Sequence, residues 1–480
     1  MSLIPECSTL IFDIGDVLFS WCPVNTTSIA PRTVKSILRS PIWHEYECGR
    51  LSEDECYRLV AEAFSLETSE VHRAVADVRK SLAPDNAFLG FIQQLQAEAG
   101  GRLRIFAMSN ISAPDYAFLR KLPVDWDIFQ RVFTSAGAGM RKPNLIFYRH
   151  VLDEVKADPS SVVFVDDRLE NVIAARSLGI NGIVFNDPAS VRQTLRCYVG
   201  NSMLRGRAYL TARAGRLESE TTSGEEIEEN LNQLLILEAT GDKTLVRFNH
   251  YPHTWNFFRG EPQFTTANHP ADLHTTAFGL MVTQPEDSIF DAVIEEMLEH
   301  LDSERIPQVY FDKTRPRIDP VVCVNVLSLF YSRGRGPELP EALDWIEGIL
   351  QHRAYLEGTV YCKTPESFLF FASRLLRASA DATLHARLAP LLKARLQERI
   401  GAGGHALALA MRINACATLG VRDEVDLQRL LMLQMEDGGW EASGIFNYPT
   451  SGIRFGNRGL TTAYALNAIS ALDVVRAPRL

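Results

Sequence analysis

The sequence lacks any apolar stretch of membrane-spanning length, which excludes a protein built on transmembrane helices. Its first fifteen residues, MSLIPECSTLIFDIG, also lack the basic start, long apolar run and small-residue cleavage site of a secretory signal. Cysteine is sparse and scattered, at Cys7, Cys22, Cys48, Cys56, Cys197, Cys323, Cys362 and Cys416. No C-x-x-C pair or zinc-finger spacing occurs, so the thiols are expected to be reduced and mostly in the core of a cytoplasmic protein. Positive charge is also short. Forty-nine basic residues face fifty-nine acidic ones, a net charge of −10 that disfavours nucleic acid or an anionic membrane surface as a general partner.

What is present is ordinary globular material in a chain too long for one core. With 480 residues, 46% of them hydrophobic and 22% charged, two domains are expected, each burying a full core. Residues 8–19, STLIFDIGDVLF, open with an apolar run that ends at Asp13 and Gly15, the pattern of a buried strand entering a loop. RLRIFAMSN and SSVVFVDD repeat it, and SEDECYRLVAEAFSL and NLIFYRHVLDEV between them carry helical periodicity. This alternation predicts a parallel α/β sheet whose carboxyl ends collect Asp13, Ser109 with Asn110, and Asp166 with Asp167. The stretch RLESETTSGEEIEEN is acidic and without apolar period. The expected organisation is therefore an α/β domain over 1–200, a linker over 201–228 and a second domain over 229–480. Helical segments such as SIFDAVIEEMLEHL, SFLFFASRLLRA and GHALALAMRINACATL make that second domain read as all-α.

A strand-end aspartate, a hydroxyl after a second strand, a lysine before a helix and paired acids after a later strand suit phosphoryl transfer. A carboxylate attacks phosphorus only where metal and cations neutralise the phosphate; hydroxyl and backbone N–H groups bind its oxygens, and lysine steadies the developing charge. The corresponding residues are Asp13, Ser109, Lys142 in RKPN, and Asp166 with Asp167 in FVDDRLEN. In this order, over residues of about 5 to 195, the set resembles the haloacid dehalogenase superfamily. The resemblance implies a Rossmannoid sheet with Asp13 and Lys142 as catalytic residues and Ser109 and Asn110 binding substrate. It implies Mg²⁺ held by Asp13, Asp166, Asp167 and Gly15, and a helical cap over about 25–85 that includes WHEYECGRLSEDECY. One departure is that Gly15 stands where most phosphatases of the superfamily carry a second aspartate as general acid and base. Asp16 is next along, but neighbouring residues at a strand end point differently.

In the second half, QMEDGGW places Gln434, the Gly438–Gly439 turn and Trp440 where they can tie helix ends together. It resembles the Gln-Trp motif of class II terpene cyclases, an α/α-barrel fold. HPADLHTT, residues 269–276, resembles the D-x-D-T-T loop of small class II cyclases fused to a dehalogenase-like domain, which make drimane sesquiterpenes from farnesyl diphosphate. The domain order matches that group over nearly the whole chain. In such a loop the second acid protonates an alkene; here its place is His274, which with Asp272 makes the candidate catalytic pair, and Thr275 and Thr276 are the candidate substrate-binding residues. Histidinium has an ordinary pKa near 6.5 against roughly 4 for aspartic acid. Asp272 also fits a plain helix N-cap, since it follows Pro270 and precedes an apolar run. Trp255, Phe257, Phe258, Phe278, Tyr331, Phe370, Phe371, Phe446, Tyr448 and Phe455 could supply π-faces for a cation, and Arg315, Arg317 and Arg458 could bind diphosphate.

The expected function is a sesquiterpene cyclase. It would convert farnesyl diphosphate to a drimane-type bicyclic diphosphate, dephosphorylated by the first domain or by a separate phosphatase. Two other readings stay open: a prenyl-diphosphate phosphatase without cyclase activity, and an inert lipid-diphosphate binding protein.

Overall fold

A computed structural model describes residues 7–20, 29–444, 446–448 and 451–474. The chain forms two compact units, Met1–Gly200 and Asn201–Leu480.

The first unit is built on five parallel strands: β1 (Thr9–Phe12), β2 (Arg104–Ser109), β3 (Arg131–Thr134), β4 (Val162–Asp166) and β5 (Asn181–Val184), in the order β3-β2-β1-β4-β5. β1 and β4 are buried along their whole length, which explains their unbroken apolar runs. Apolar cores cover both faces of the sheet, one around Phe12, Phe88 and Ile105, the other around Phe106, Phe147 and Phe164. The register sets Phe12 beside Ala107 on one side and Val165 on the other. Asp13, Ser109 and Asp166 therefore emerge at one carboxyl edge.

Four helices, Pro31–Leu38, Pro41–Glu47, Glu53–Phe64 and Thr68–Ser81, form the cap after β1. They have their own core, in which Trp43, Tyr46 and Tyr57 pack ring against ring. Arg79 ties the cap to the sheet domain: its guanidinium lies 2.7 Å from Asp115 and 2.5 Å from Glu53. Cys7, Cys48, Cys56, Cys197, Cys323, Cys362 and Cys416 are free and buried; Cys22 lies outside the described residues.

In the second unit six helices close a ring: α1 (Leu231–Thr240), α2 (Leu273–Thr283), α3 (Pro320–Ser332), α4 (Pro365–Ala378), α5 (Ala406–Thr418) and α6 (Arg458–Val474), each packed on the next and α6 on α1. Helices between them, such as Pro340–His352 and Ala382–Arg399, pack outside the ring. The inner helices are largely buried, and α3 is buried from Val321 through Tyr331. The Gln-Trp segment acts as a brace. Gln434 donates to the carbonyls of Ser202 and Gly438 at 3.0 and 2.8 Å, and buried Trp440 donates from Nε1 to the Leu430 carbonyl at 2.7 Å.

One expectation is corrected. Residues 201–228 are not a linker: Ser202–Ala212 is a helix, and Ser219–Thr221 and Glu226–Ile227 are strands. The second unit is mainly helical, as expected, and those strands add a small antiparallel sheet with Phe446–Asn447 and Arg454–Gly456. The strands are only two or three residues long, too short for alternation to show. Their polar content is satisfied internally: buried Glu229 accepts from the Ser219 hydroxyl at 2.7 Å and the Asn232 N–H at 2.8 Å.

Candidate functional site

Each unit carries a site. In the first, Lys142 is fully buried, with Nζ 2.9 Å from Asp13 Oδ1 and 2.6 Å from Asp166 Oδ2. Asn171 Nδ2 and the Arg168 N–H also donate to Asp166. Burial raises the Asp13 carboxyl to about 7 against the pull of Lys142, and burial beside Asp166 and Asp16 raises Asp167 to about 6. Burial alone would lower Lys142, but Asp13 and Asp166 hold it above its ordinary value.

Carboxylate oxygens of Asp13, Asp166 and Asp167 lie within 4.8 Å of one another. Three hard oxygens in a cluster whose negative charge only one lysine offsets fit a small divalent cation such as Mg²⁺. Gly15 sits at the same turn, where an added Cβ would meet nothing within 4 Å. Asp16 follows at a left-handed φ of +55° and is exposed.

Ser109, buried, ends β2 at this edge. Asn110, next to it, is engaged with the lysine backbone: its amide donates to the Lys142 carbonyl at 2.9 Å and accepts from the Lys142 N–H at 2.8 Å, which helps to position the lysine. Sequence reasoning missed the adjoining cavity of 390 Å³, lined by Arg39 and His44 of the cap and by Arg141, Lys142 and Arg168. Burial, Arg141 and Arg168 hold His44 below its ordinary value. The basic residues of the cap were visible in the sequence, but nothing in their spacing pointed to one pocket.

In the second unit a cavity of 520 Å³ is lined by Asp272, His274 and Thr275 at the start of α2. Asp272 is the N-cap of that helix, its Oδ1 accepting the Thr275 N–H at 2.6 Å. The capping residue thus also lines the cavity. Its Oδ2 is buried without a hydrogen-bond partner, and burial raises the carboxyl to about 7. His274 is pushed down to about 3 by burial and by Arg374. Its Nε2 lies 3.1 Å from Asn325 Nδ2.

Phe257, Phe446, Tyr448 and Phe455 wall the cavity, and Arg315 and Arg317 belong to its lining. The other aromatic candidates, Trp255, Phe258, Phe278, Tyr331, Phe370 and Phe371, are buried and do not line it. Thr276 is also removed from it, because its hydroxyl accepts the Trp255 N–H at 2.8 Å inside the core. Arg458 is paired with Asp437 at 3.0 Å in the Gln-Trp brace, away from this lining. Tyr310, Tyr361 and Asp319 also line the cavity; the two tyrosine hydroxyls lie 3.1 Å apart and Arg317 reaches Tyr361 at 3.3 Å.

Comparison with known proteins agrees with this pairing of sites. Residues 8–179 match the haloacid dehalogenase-like hydrolase family, and residues 203–333 match the sesquiterpene cyclase astC-like C-terminal domain. The chain is 44% identical over 465 residues to drimenol cyclase drtB of Aspergillus calidoustus, covering 97% of this chain and 88% of that protein. Its first part is 36% identical over 197 residues to sesquiterpene phosphatase astK of Aspergillus oryzae, covering 40% of this chain and 99% of that one. A solved HAD family enzyme from Bacteroides thetaiotaomicron, in complex with magnesium and inorganic phosphate, is 18% identical, covers 38% of this chain and 96% of that chain, and superposes with a TM-score of 0.31. No helix among the described residues is long and apolar enough to cross a membrane. The chain belongs to the drimenol cyclase-type sesquiterpene cyclases, enzymes in which a haloacid dehalogenase-like hydrolase domain precedes an astC-like cyclase domain.

Proposed function

We propose that this enzyme cyclises farnesyl diphosphate by protonation to a drimane-type bicyclic diphosphate in the helical unit, and that the Asp13 site then removes phosphate to release the alcohol. The observation that carries the reading is the 520 Å³ cavity. It combines a buried carboxyl, an aromatic wall and two arginines in one lining. Aromatic faces stabilise carbocations, and guanidinium groups pair bidentately with phosphate oxygens. Drimenol cyclase drtB and sesquiterpene phosphatase astK, matched over the whole chain and its first part, support the two activities.

At the hydrolase site Asp13 attacks the terminal phosphorus and the bridging oxygen leaves with the prenyl monophosphate; water then cleaves the acyl phosphate, releasing inorganic phosphate and regenerating the carboxylate, and a second such cycle on the monophosphate releases the alcohol. Ser109 binds a phosphoryl oxygen, and Lys142 holds Asp13 in place and offsets charge as it grows on the transferring group. Asp13, Asp166 and Asp167, with the Gly15 backbone, would hold Mg²⁺, which would supply further neutralisation of phosphoryl charge. Arg39, His44, Arg141 and Arg168 line the cavity beside this centre and suit the second phosphate of a diphosphate.

The test is incubation of the full chain with farnesyl diphosphate and Mg²⁺, halved with and without added phosphatase, followed by gas chromatography and mass spectrometry. Bicyclic alcohol in both halves is the expected result. Bicyclic alcohol only after added phosphatase would remove the hydrolase step, and farnesol alone would overturn the cyclase.

A further inference from the structure

We propose that Asp272, two residues before the place of the usual donor, is the acid that protonates the substrate alkene, and that His274 is locked as a neutral imidazole. The inference rests on the cyclase reading above and assigns the acid within it.

The lock on His274 is a chain of side chains behind the ring. Glu238 holds the Arg374 guanidinium at 2.6 and 2.8 Å, and Arg374 lies over the Phe278 ring at 4.1 Å. Arg374 Nη1 faces Asn325 Oδ1 at 3.4 Å, while Asn325 Nδ2 donates to the Val321 carbonyl at 2.8 Å. These two contacts fix which end of the amide is which. The same Nδ2 points at His274 Nε2, so Nε2 must present its lone pair; a proton there would set N–H against N–H. A buried guanidinium in the same chain opposes an imidazolium as well.

Asp272 has the opposite character. One oxygen is engaged by the helix N-terminus, while the other is buried, unpartnered and part of a residue that lines the cavity. A carboxyl with one unpaired oxygen among aromatic walls carries its proton there, because the anion would be poorly solvated. Asp319, the other buried carboxyl of the lining, also leaves Oδ2 unpartnered, but its Oδ1 accepts two N–H groups of α3, from Val321 and Val322 at 2.8 and 3.4 Å, where Asp272 Oδ1 accepts one. Thr359 and the Tyr361 N–H also favour its charged form, so it holds a proton less readily.

In the step, the Asp272 O–H bond breaks as the π electrons of the distal alkene form a C–H bond to that proton, leaving a tertiary cation. The two remaining alkenes close the rings. Loss of a proton from carbon beside the final cation forms the product alkene, and one proton returns to the carboxylate through solvent. The reaction is an isomerisation with no net proton.

The experiment compares full-length wild type, Asp272→Asn, His274→Gln and Asp319→Asn for bicyclic alcohol after added phosphatase, with kcat, KM and thermal stability for each. Asparagine keeps the helix cap, so Asp272→Asn should stay folded with KM little changed while kcat for cyclisation falls by about 10²- to 10⁴-fold. His274→Gln and Asp319→Asn should stay within about tenfold of wild type, and Asp272→Glu should recover part of the loss. An active Asp272→Asn, or loss of cyclisation confined to His274→Gln or Asp319→Asn, overturns the assignment while leaving the enzyme a cyclase. Wild type that makes no bicyclic product overturns the cyclase reading and the assignment together.

Discussion

Lys142 Nζ lies 2.9 Å from Asp13 Oδ1, and both side chains are almost fully buried. The same ammonium reaches Asp166 at 2.6 Å, so one cation stands between two carboxylates that would otherwise repel. Lys142→Met should therefore lower phosphate release by about 10²- to 10³-fold. Cyclisation, read as bicyclic alcohol after added phosphatase, should persist. Equal loss of both activities would contradict a role confined to the hydrolase site.

Removing divalent metal should stop phosphate release, and Mg²⁺ should restore it. Asp13, Asp166 and Asp167 bring three carboxyl groups together beside one buried lysine, a set that a divalent cation balances. Asp167→Asn should raise the Mg²⁺ concentration needed for half-maximal phosphate release. Release that is unaffected by chelation would contradict the metal assignment.

Cyclisation should fall as pH rises through about 7, the value to which burial raises Asp272. The sign follows from the role: a donor works while it holds its proton, so the rate is full below that value and drops about tenfold per unit above it. His274, pushed down to about 3, and His269, pushed down to about 4, stay neutral across that range. Tyr310 is raised above its ordinary value, and the guanidinium groups of Arg315 and Arg317 complete the charged lining. Asp319 is raised too, so the profile of Asp319→Asn should keep the same limb. A rate that rises only toward pH 3 would point to His274.

Gly438→Ala should destabilise the helical unit without touching either site. Gly438 has φ +89°, and a Cβ there would meet the Arg205 carbonyl oxygen at 2.5 Å. Such strain costs about 1–3 kcal/mol, and the melting temperature should fall by several degrees. Gly348→Ala, on an outer helix with nothing within 4 Å of the added atom, should be neutral or slightly stabilising. Equal melting temperatures for the two variants would contradict the brace.

The hydrolase site was legible in the sequence because parallel strands place consecutive strand ends side by side. Asp13, Ser109 and Asp166 needed only the strand order to meet. Lys142 came with its family pattern, but only the fold shows that the Asn110 amide closes on the Lys142 backbone. The cyclase site was legible only at its loop. Asn325 and Arg374, which set the state of His274, lie on α3 and α4, 51 and 100 positions along the chain, and no local pattern links them. The small sheet escaped because its strands are shorter than the period that reveals a strand. Thr276 and Arg458 failed as candidates for a common reason: a polar side chain that completes a packing motif looks the same in sequence as one that faces substrate.

The central claim, cyclisation first and dephosphorylation second in one chain, is tested most directly by giving Asp13→Asn farnesyl diphosphate and identifying the accumulated diphosphate by liquid chromatography and mass spectrometry. Accumulation of a bicyclic diphosphate that resists further turnover is the predicted result. Unchanged farnesyl diphosphate, in a variant whose wild type releases alcohol, would contradict it.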